Sequence, residues 1–254
     1  MHVPHASQHF GEGMHVYPRI DAQADFEKGE LLLVRKQGEY ISGLLITYKD
    51  SCMCLRILGV RDGNREYVRD GAIAALYEFA LRHAEEEGCR KVKFYRSRAF
   101  LQDGVLRFKR TLSQRIVTPD RHKFLLRIVS ESAASRAFLE NSPFIFERYG
   151  KLHGAVFLNG ETPLTLAALR KINKEHFHPV MSQLVVFQFS PEMTNGEAGA
   201  SSVLIPELAA HHPTDPSDPL RYEQLSNAEW TDLIRGLECT GIRQAVAIYP
   251  KQEN

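Results

Sequence analysis

The chain reads as an α/β protein, a mixed sheet carrying helices, on three observations. Three short apolar runs split by turn residues succeed one another between Gly29 and Leu58, the pattern of an antiparallel meander. From Ala72 the apolar period lengthens to that of an amphipathic helix. A strand-like run over 91–95 and a second helical stretch over 105–112 follow. Residues 29–116 therefore read β-β-β-α-β-α.

Taken in order, residues 1–28 carry Pro4, Gly11, Gly13 and Pro18 and are expected to be irregular. The meander comprises Gly29 to Lys36, Tyr40 to Tyr48 and Cys52 to Leu58, with turns at Gln37-Gly38 and Lys49-Asp50-Ser51. In the helix, Ala72, Leu76, Phe79, Ala80 and either His83 or Ala84 form one stripe, with packing on the sheet expected through Leu76, Phe79 and Ala80. Asp70 is the expected N-cap and Gly88 the stop. Farther on, the patterns predict a strand over 123–129, a helix over 133–140 and a hairpin over 144–158 turning near Gly150-Lys151. A helix over 164–177 and a strand over 183–189 come next. Loops are expected at 191–202 and at 211–219, the latter broken by Pro213, Pro216 and Pro219. Ser226 opens a helix toward Glu238, with Glu229 at capping-box distance, and 242–249 closes as a strand. The expected division is an N-terminal segment 1–28, a domain 29–120 and a C-terminal α/β region 121–254. No sequence repeat joins the halves.

A length of 254 residues suits one large or two ordinary domains, and 43% hydrophobic with 25% charged residues is ordinary globular composition. Thirty-two basic against 31 acidic side chains leave a formal charge of +1, which argues against a protein that coats polyanions. No apolar run is long enough to span a bilayer, and no secretory signal pattern opens the chain. Cys52, Cys54, Cys89 and Cys239 have no CxxC spacing, which fits free thiols in a reducing cytoplasm. His2, His5, His9 and His15 lack cysteine or acidic partners at ligand spacing, so no metal is expected and a surface segment is. His176 and His178 stand at a helix end, where cations suit the dipole. Common hydrolase, zincin and P-loop motifs are missing from the sequence.

The stretch that carries chemistry runs from Tyr67 through Arg69-Asp70-Gly71-Ala72-Ile73-Ala74 into the helix. A helix start offers unpaired N–H groups and the positive end of the macrodipole to a phosphate. Small residues let an anion reach the backbone, and Arg69 adds charge. This segment resembles the pyrophosphate loop of GNAT-superfamily N-acyltransferases, Gln/Arg-x-x-Gly-x-Gly/Ala. Arg69 matches the first position, with Ala72 and Ala74 in the two small-residue positions and Gly71 one residue early. Phe94 to Lys109 is similar to the Fem-type branch of that superfamily, where a strand ends in a serine-containing loop, then Asp103-Gly104 and a short helix bearing Phe108-Lys109. The resemblance covers about a third of the chain.

The resemblance implies acyl transfer from acetyl-CoA or another acyl-CoA to an amine on a small molecule or peptide. It places the pyrophosphate on Arg69, Asp70, Gly71, Ala72, Ile73 and Ala74, and the pantetheine on the strand end at Leu58, Gly59 and Val60. Glu66 and Asp103 are the candidate bases and Tyr95 the candidate acid. Ordinary structural roles stand beside these: Glu66 lies in a polar turn, and Asp103 precedes a glycine as turn and N-cap residues do. The chain departs from the family at Leu112-Ser113-Gln114, where a Trp-Gly or Gly-Phe stop is usual, and in lacking a tyrosine on the short helix. A strand and two helices precede the meander in the family, and residues 1–28 are expected not to supply them all. Two other functions compete. One is a GNAT-derived binding or assembly module without catalysis. The other is aminoacyl transfer from charged tRNA, disfavoured by the near-neutral charge.

Overall fold

Two-residue turns set the register of the first sheet. Gln37 and Gly38 both adopt positive φ, 50° and 87°, the backbone that matches the twist of a tight hairpin. They join β1 (Gly29–Lys36) to β2 (Glu39–Lys49), and Asp50, at φ 55°, helps turn β2 into β3 (Cys52–Val60). A computed structural model describes residues 1–10, 17–94, 96–112, 116, 126–128, 132–190, 220–235 and 241–250, with backbone alone for 8–10 and 250. The chain is an α/β protein with two mixed sheets, divided into Met1–Arg96 and Ser97–Asn254. That division falls ahead of the expected boundary near 120, and it assigns residues 1–28 to the first unit.

In the first unit the sheet order is β1-β2-β3-β4. The meander is antiparallel, and β4 (Lys91–Lys93) lies parallel to β3, opposite Cys52, Met53 and Cys54 only. The crossover between them is α4 (Ala72–Glu86), preceded by the short α3 (Arg65–Arg69). Ala72, Leu76, Ala80 and Ala84 are its buried row, and the last three pack with Leu32, Leu44, Ile46, Met53 and Leu55. Phe79, expected in that row, is instead 55% exposed and stacks on His83 at 6.2 Å. An i, i+4 row of small side chains lets the helix sit close to the sheet, and a phenyl ring one position off the row is turned outward.

The expectation of an irregular segment over 1–28 is corrected among its described residues, which include α1 (His2–Phe10) and α2 (Arg19–Lys28). Pro4 is tolerated because it falls in the first turn, where its missing N–H has no helical partner. Helix α1 lies against β3, burying His5 and Ala6, and α2 lies against β2. Of the histidines read as a surface segment, His5 is therefore core. A bulge in β3 governs this layer. Leu45 faces Ile57 while Ile46 faces Leu55, so Arg56 is the extra residue. Arg56 Nε donates to Asp25 Oδ2 at 2.7 Å and Nη2 to Tyr17 Oη at 2.6 Å, while Tyr17 donates to the same carboxylate oxygen at 2.6 Å. This triad ties α2 to the sheet.

The second unit holds a sheet in the order β5-β6-β7-β9-β8. Its strands are β5 (Phe144–Arg148), β6 (Lys151–Leu158), β7 (Gln183–Phe189), β8 (Leu220–Leu225) and β9 (Ile242–Pro250). All seven residues of the central β7 are buried, as a run read from both faces requires. Leu139 of α6 (Ala133–Asn141) and Trp230 of α8 (Asn227–Leu233) join the core on one face with Phe157 and Phe187. Leu169 of α7 (Leu166–His176) joins the other with Leu184 and Val186. The capping box of Ser226 and Glu229 is present. Its helix ends earlier than expected, at Leu233, and 236–240 lie outside the described residues. Strand β8 was not anticipated: it is an edge strand of alternating polar and apolar residues directly after Pro219. Of the expected strand at 123–129 only 126–128 are described, without regular structure. The expected loops 191–202 and 211–219, and Cys239, lie outside the described residues.

Both units repeat one path. An antiparallel hairpin (β2-β3, β5-β6) leads through a helix (α4, α7) to a strand parallel to the hairpin's second strand. The repetition is topological and left no trace in the sequence.

Leu76→Ala should cost roughly 2–5 kcal/mol in urea unfolding, as a fully buried truncation does, whereas Phe79→Ala should cost under about 1 kcal/mol. Burial pushes the Asp25 pKa up, but the hydrogen bonds from Tyr17 and Arg56 outweigh it and hold the carboxyl below its usual value. A depressed folded-state pKa means stability fully present above the ordinary aspartate range and lost as pH falls through the depressed value. Asp25→Asn should thus lower the urea midpoint at neutral pH, and the gap to wild type should close as pH falls below about 4.

Candidate functional site

The candidate site is the corner where β3 gives way to α4. Val60 ends β3 fully buried. A tight 3-10 turn at Arg61–Gly63 follows, with Asp62 and Gly63 at φ 52° and 66°. Asn64 then caps α3 by accepting from Glu66 N at 2.8 Å. Gly71, at φ 88°, turns α3 into α4. The expected N-cap at Asp70 is corrected: Gly71 holds that position, and no side chain caps α4. The first-turn N–H groups of α4 therefore have no side-chain acceptor, the arrangement that favours an anion.

Asp70 ends α3 and pairs with Lys36 Nζ at 2.6 Å. That hydrogen bond and its charge hold the Asp70 carboxyl below its usual range and raise the Lys36 ammonium. The carboxylate next to the helix start is thus neutralised by a lysine 34 residues away, a pairing with no signal in the sequence. Glu66 and Arg69 are about three-quarters exposed and 3.8 Å apart. Ala72 is buried, with its carbonyl accepting from Ser42 Oγ at 3.4 Å, Ile73 is half-buried and Ala74 is exposed. Only part of the first turn thus faces outward.

Leu58, Gly59 and Val60 pair with Leu44, Gly43 and Ser42 of β2. Because β4 accompanies β3 only as far as Cys54, the far edge of β3 from Leu55 onward has no strand beside it among the described residues. His2 Nδ1 donates to the Leu58 carbonyl at 2.8 Å. Gly59 is closely approached by the N-terminal residues: a Cβ there would stand 2.5 Å from His2 N. The edge expected to hold pantetheine already has an occupant.

The remaining candidates separate. Glu66 belongs to the first unit and Asp103 to the second. Asp103 caps α5 (Gly104–Thr111), its carboxylate accepting from Leu106 N at 2.9 Å. Tyr95 lies outside the described residues. On α5, Lys109 is buried, and burial lowers its pKa to about 8 against the pull of Asp103. Arg110 donates to the carbonyls of Glu175 and Phe177 at the end of α7, at 2.8 and 3.3 Å. Burial first, then the charge of Arg110, pushes His176 and His178 below the usual histidine value, although Glu175 pulls His176 the other way. Arg110 thus supplies a cation to the last carbonyls of that helix, whose final turn also carries Lys174. Arg56 was passed over, although its charge in the middle of an apolar strand was the available signal, and His2 was read only as part of a surface segment.

Among the described residues, no helix is long and apolar enough to cross a membrane. No group of three or more His, Cys, Asp or Glu side chains there is placed to hold a metal.

No protein-family model and no curated protein matches the chain. Among solved structures, the chain is similar to a transcriptional regulator from Bacillus halodurans C-125, at 17% identity over 49% of this chain and 89% of that one, with a TM-score of 0.32. A likeness that loose carries no functional argument.

Proposed function

We propose that the chain is an N-acyltransferase whose first unit takes acetyl-CoA or another acyl-CoA and passes the acyl group to an amine on a small molecule or peptide. The observation that carries this reading is a comparison within the molecule. In the second unit the helix of the repeated path is capped by Thr165, which accepts from Ala168 N at 3.2 Å, and β6 stays beside β7 for six residue pairs. In the first unit the equivalent helix start is uncapped and the strands keep only three pairs. One copy of the path is closed on itself, and the other leaves an anion-binding helix start beside an open strand edge. Two helices ahead of the meander and the resemblance at Arg69 to Ala74 support the same reading.

In this reading the pyrophosphate rests on the N–H groups at the start of α4, with Arg69 alongside and Asp70 held aside by Lys36. The pantetheine follows β3 at Leu58 to Val60. A neutral amine attacks the thioester carbonyl, the C–N bond forms, the C–S bond breaks, and the amine proton leaves as the thiolate gains one. A backbone donor would steady the oxyanion. A base near neutral pH needs burial or a partner that tunes its pKa. Glu66 is exposed and ion-paired, and Asp103 is engaged as a cap. That observation favours a second reading, a module that binds acyl-CoA or assembles without transfer.

Titration calorimetry with CoA and acetyl-CoA should show binding below millimolar ligand. Ala72 is buried, so the charge test belongs at the exposed Ala74. Ala74→Glu should weaken binding about tenfold, some 1.4 kcal/mol, and leave far-UV circular dichroism unchanged because an acidic residue suits the first turn. Arg69→Ala should weaken binding more at low than at high salt. Thiol release from acetyl-CoA in the presence of amines separates transfer from binding alone. Lack of CoA binding at millimolar concentration overturns the transferase reading and leaves only the assembly module.

A further inference from the structure

The open edge of β3 is met by Met1 and His2. Gly43 and Gly59 face each other across β2 and β3, and two glycines opposite one another leave a trough where two side chains would stand. Glycine inside a strand marks the close approach of a ligand or another backbone. Here the approaching backbone is that of Met1 and His2: a Cβ on Gly59 would lie 2.6 Å from Met1 C and 2.5 Å from His2 N, and one on Gly43 would lie 3.6 Å from Met1 Sδ. His2 Nδ1 donates to the Leu58 carbonyl beside this trough. Behind it, His5 and Ala6 are buried in α1.

We infer that Met1 and His2, leading into α1, form a built-in plug that an amide-bearing acyl-donor arm displaces from Leu58 and Gly59. This rests on the acyl-CoA reading of the first unit. The Leu58 carbonyl is an acceptor, and the imidazole N–H of His2 stands where an amide N–H of such an arm would donate. The seat is weak enough to be exchanged. Among the described residues His2 Nε2 is buried without a hydrogen-bond partner, which offsets part of what the Leu58 bond contributes. Met1 and Val3 keep 41% and 51% of their surface exposed, so little apolar area holds the first residues down. The plug makes the affinity for the donor a competition between one internal hydrogen bond and one external.

Calorimetry with acetyl-CoA on wild type, on His2→Ala and on a variant lacking residues 1–10 tests this. His2→Ala should bind about fivefold more tightly than wild type, the size of one net hydrogen bond, and the shortened chain more tightly still. Circular dichroism and urea midpoints confirm folding, and if the shortened chain does not fold, His2→Ala decides alone. Equal affinity of wild type and His2→Ala overturns the plug and leaves the acyl-CoA reading standing. No binding by any variant overturns the acyl-CoA reading, and the plug falls with it.

Discussion

A strand whose side chains alternate strictly cannot turn Leu55 and Leu58 toward the same helix. In β3 the alternation is broken at Arg56, the extra residue between Leu55 and Ile57. The bulge re-phases everything after it. Leu55 and Leu58 both pack on the α4 side, while Arg56 reaches the α2 side and binds Asp25 and Tyr17. Gly59 falls opposite Gly43, toward Met1 and His2. Without the bulge, a one-residue slip would send the strand's end to the wrong face. The helical layer on one side and the glycine trough both depend on that single inserted residue.

The two units show how one chain path can be closed or left open. In the second, six pairs of parallel strand contact and a threonine cap satisfy the backbone groups at the crossover. In the first, the same groups are left to whatever lies against them, because buried or half-buried N–H and C=O groups require partners. The His2 imidazole is one such partner. Charge at the corner is balanced locally: Lys36 neutralises Asp70 and Arg69 faces Glu66, so the carboxylates beside the helix start are paired with cations.

Much of the fold was legible. The meander, α4, the hairpin β5-β6, α7, β7 and β9 follow from alternation, period and turn residues, and their bounds moved by a few residues at most. The helices α1 and α2 were hidden because proline and glycine were read as breakers, when Pro4 sits in a first turn and Pro18 just ahead of one. Phe79 misled because apolar periodicity counts a phenyl ring as core wherever it falls near the stripe. At the site, the short stretch from Arg69 to Ala74 stood out on its small residues. Asp103 ahead of Gly104 read as a cap residue, and it is one; the ion pairs of Glu66 and Asp70 did not stand out, since a carboxylate in sequence carries no mark of a distant partner.

The sequence by itself determined the local geometry: which residues alternate, where the period changes, which turns demand positive φ, and that a helix begins near Gly71 after a strand. Those are properties of a few neighbouring residues and their backbone freedom. Tertiary structure alone decided that β4 leaves β3 after three pairs, that Lys36 holds Asp70, and that His2 meets Leu58 across 56 residues of chain. Contacts of that span depend on how packed elements bring distant groups together, and no local pattern encodes the meeting.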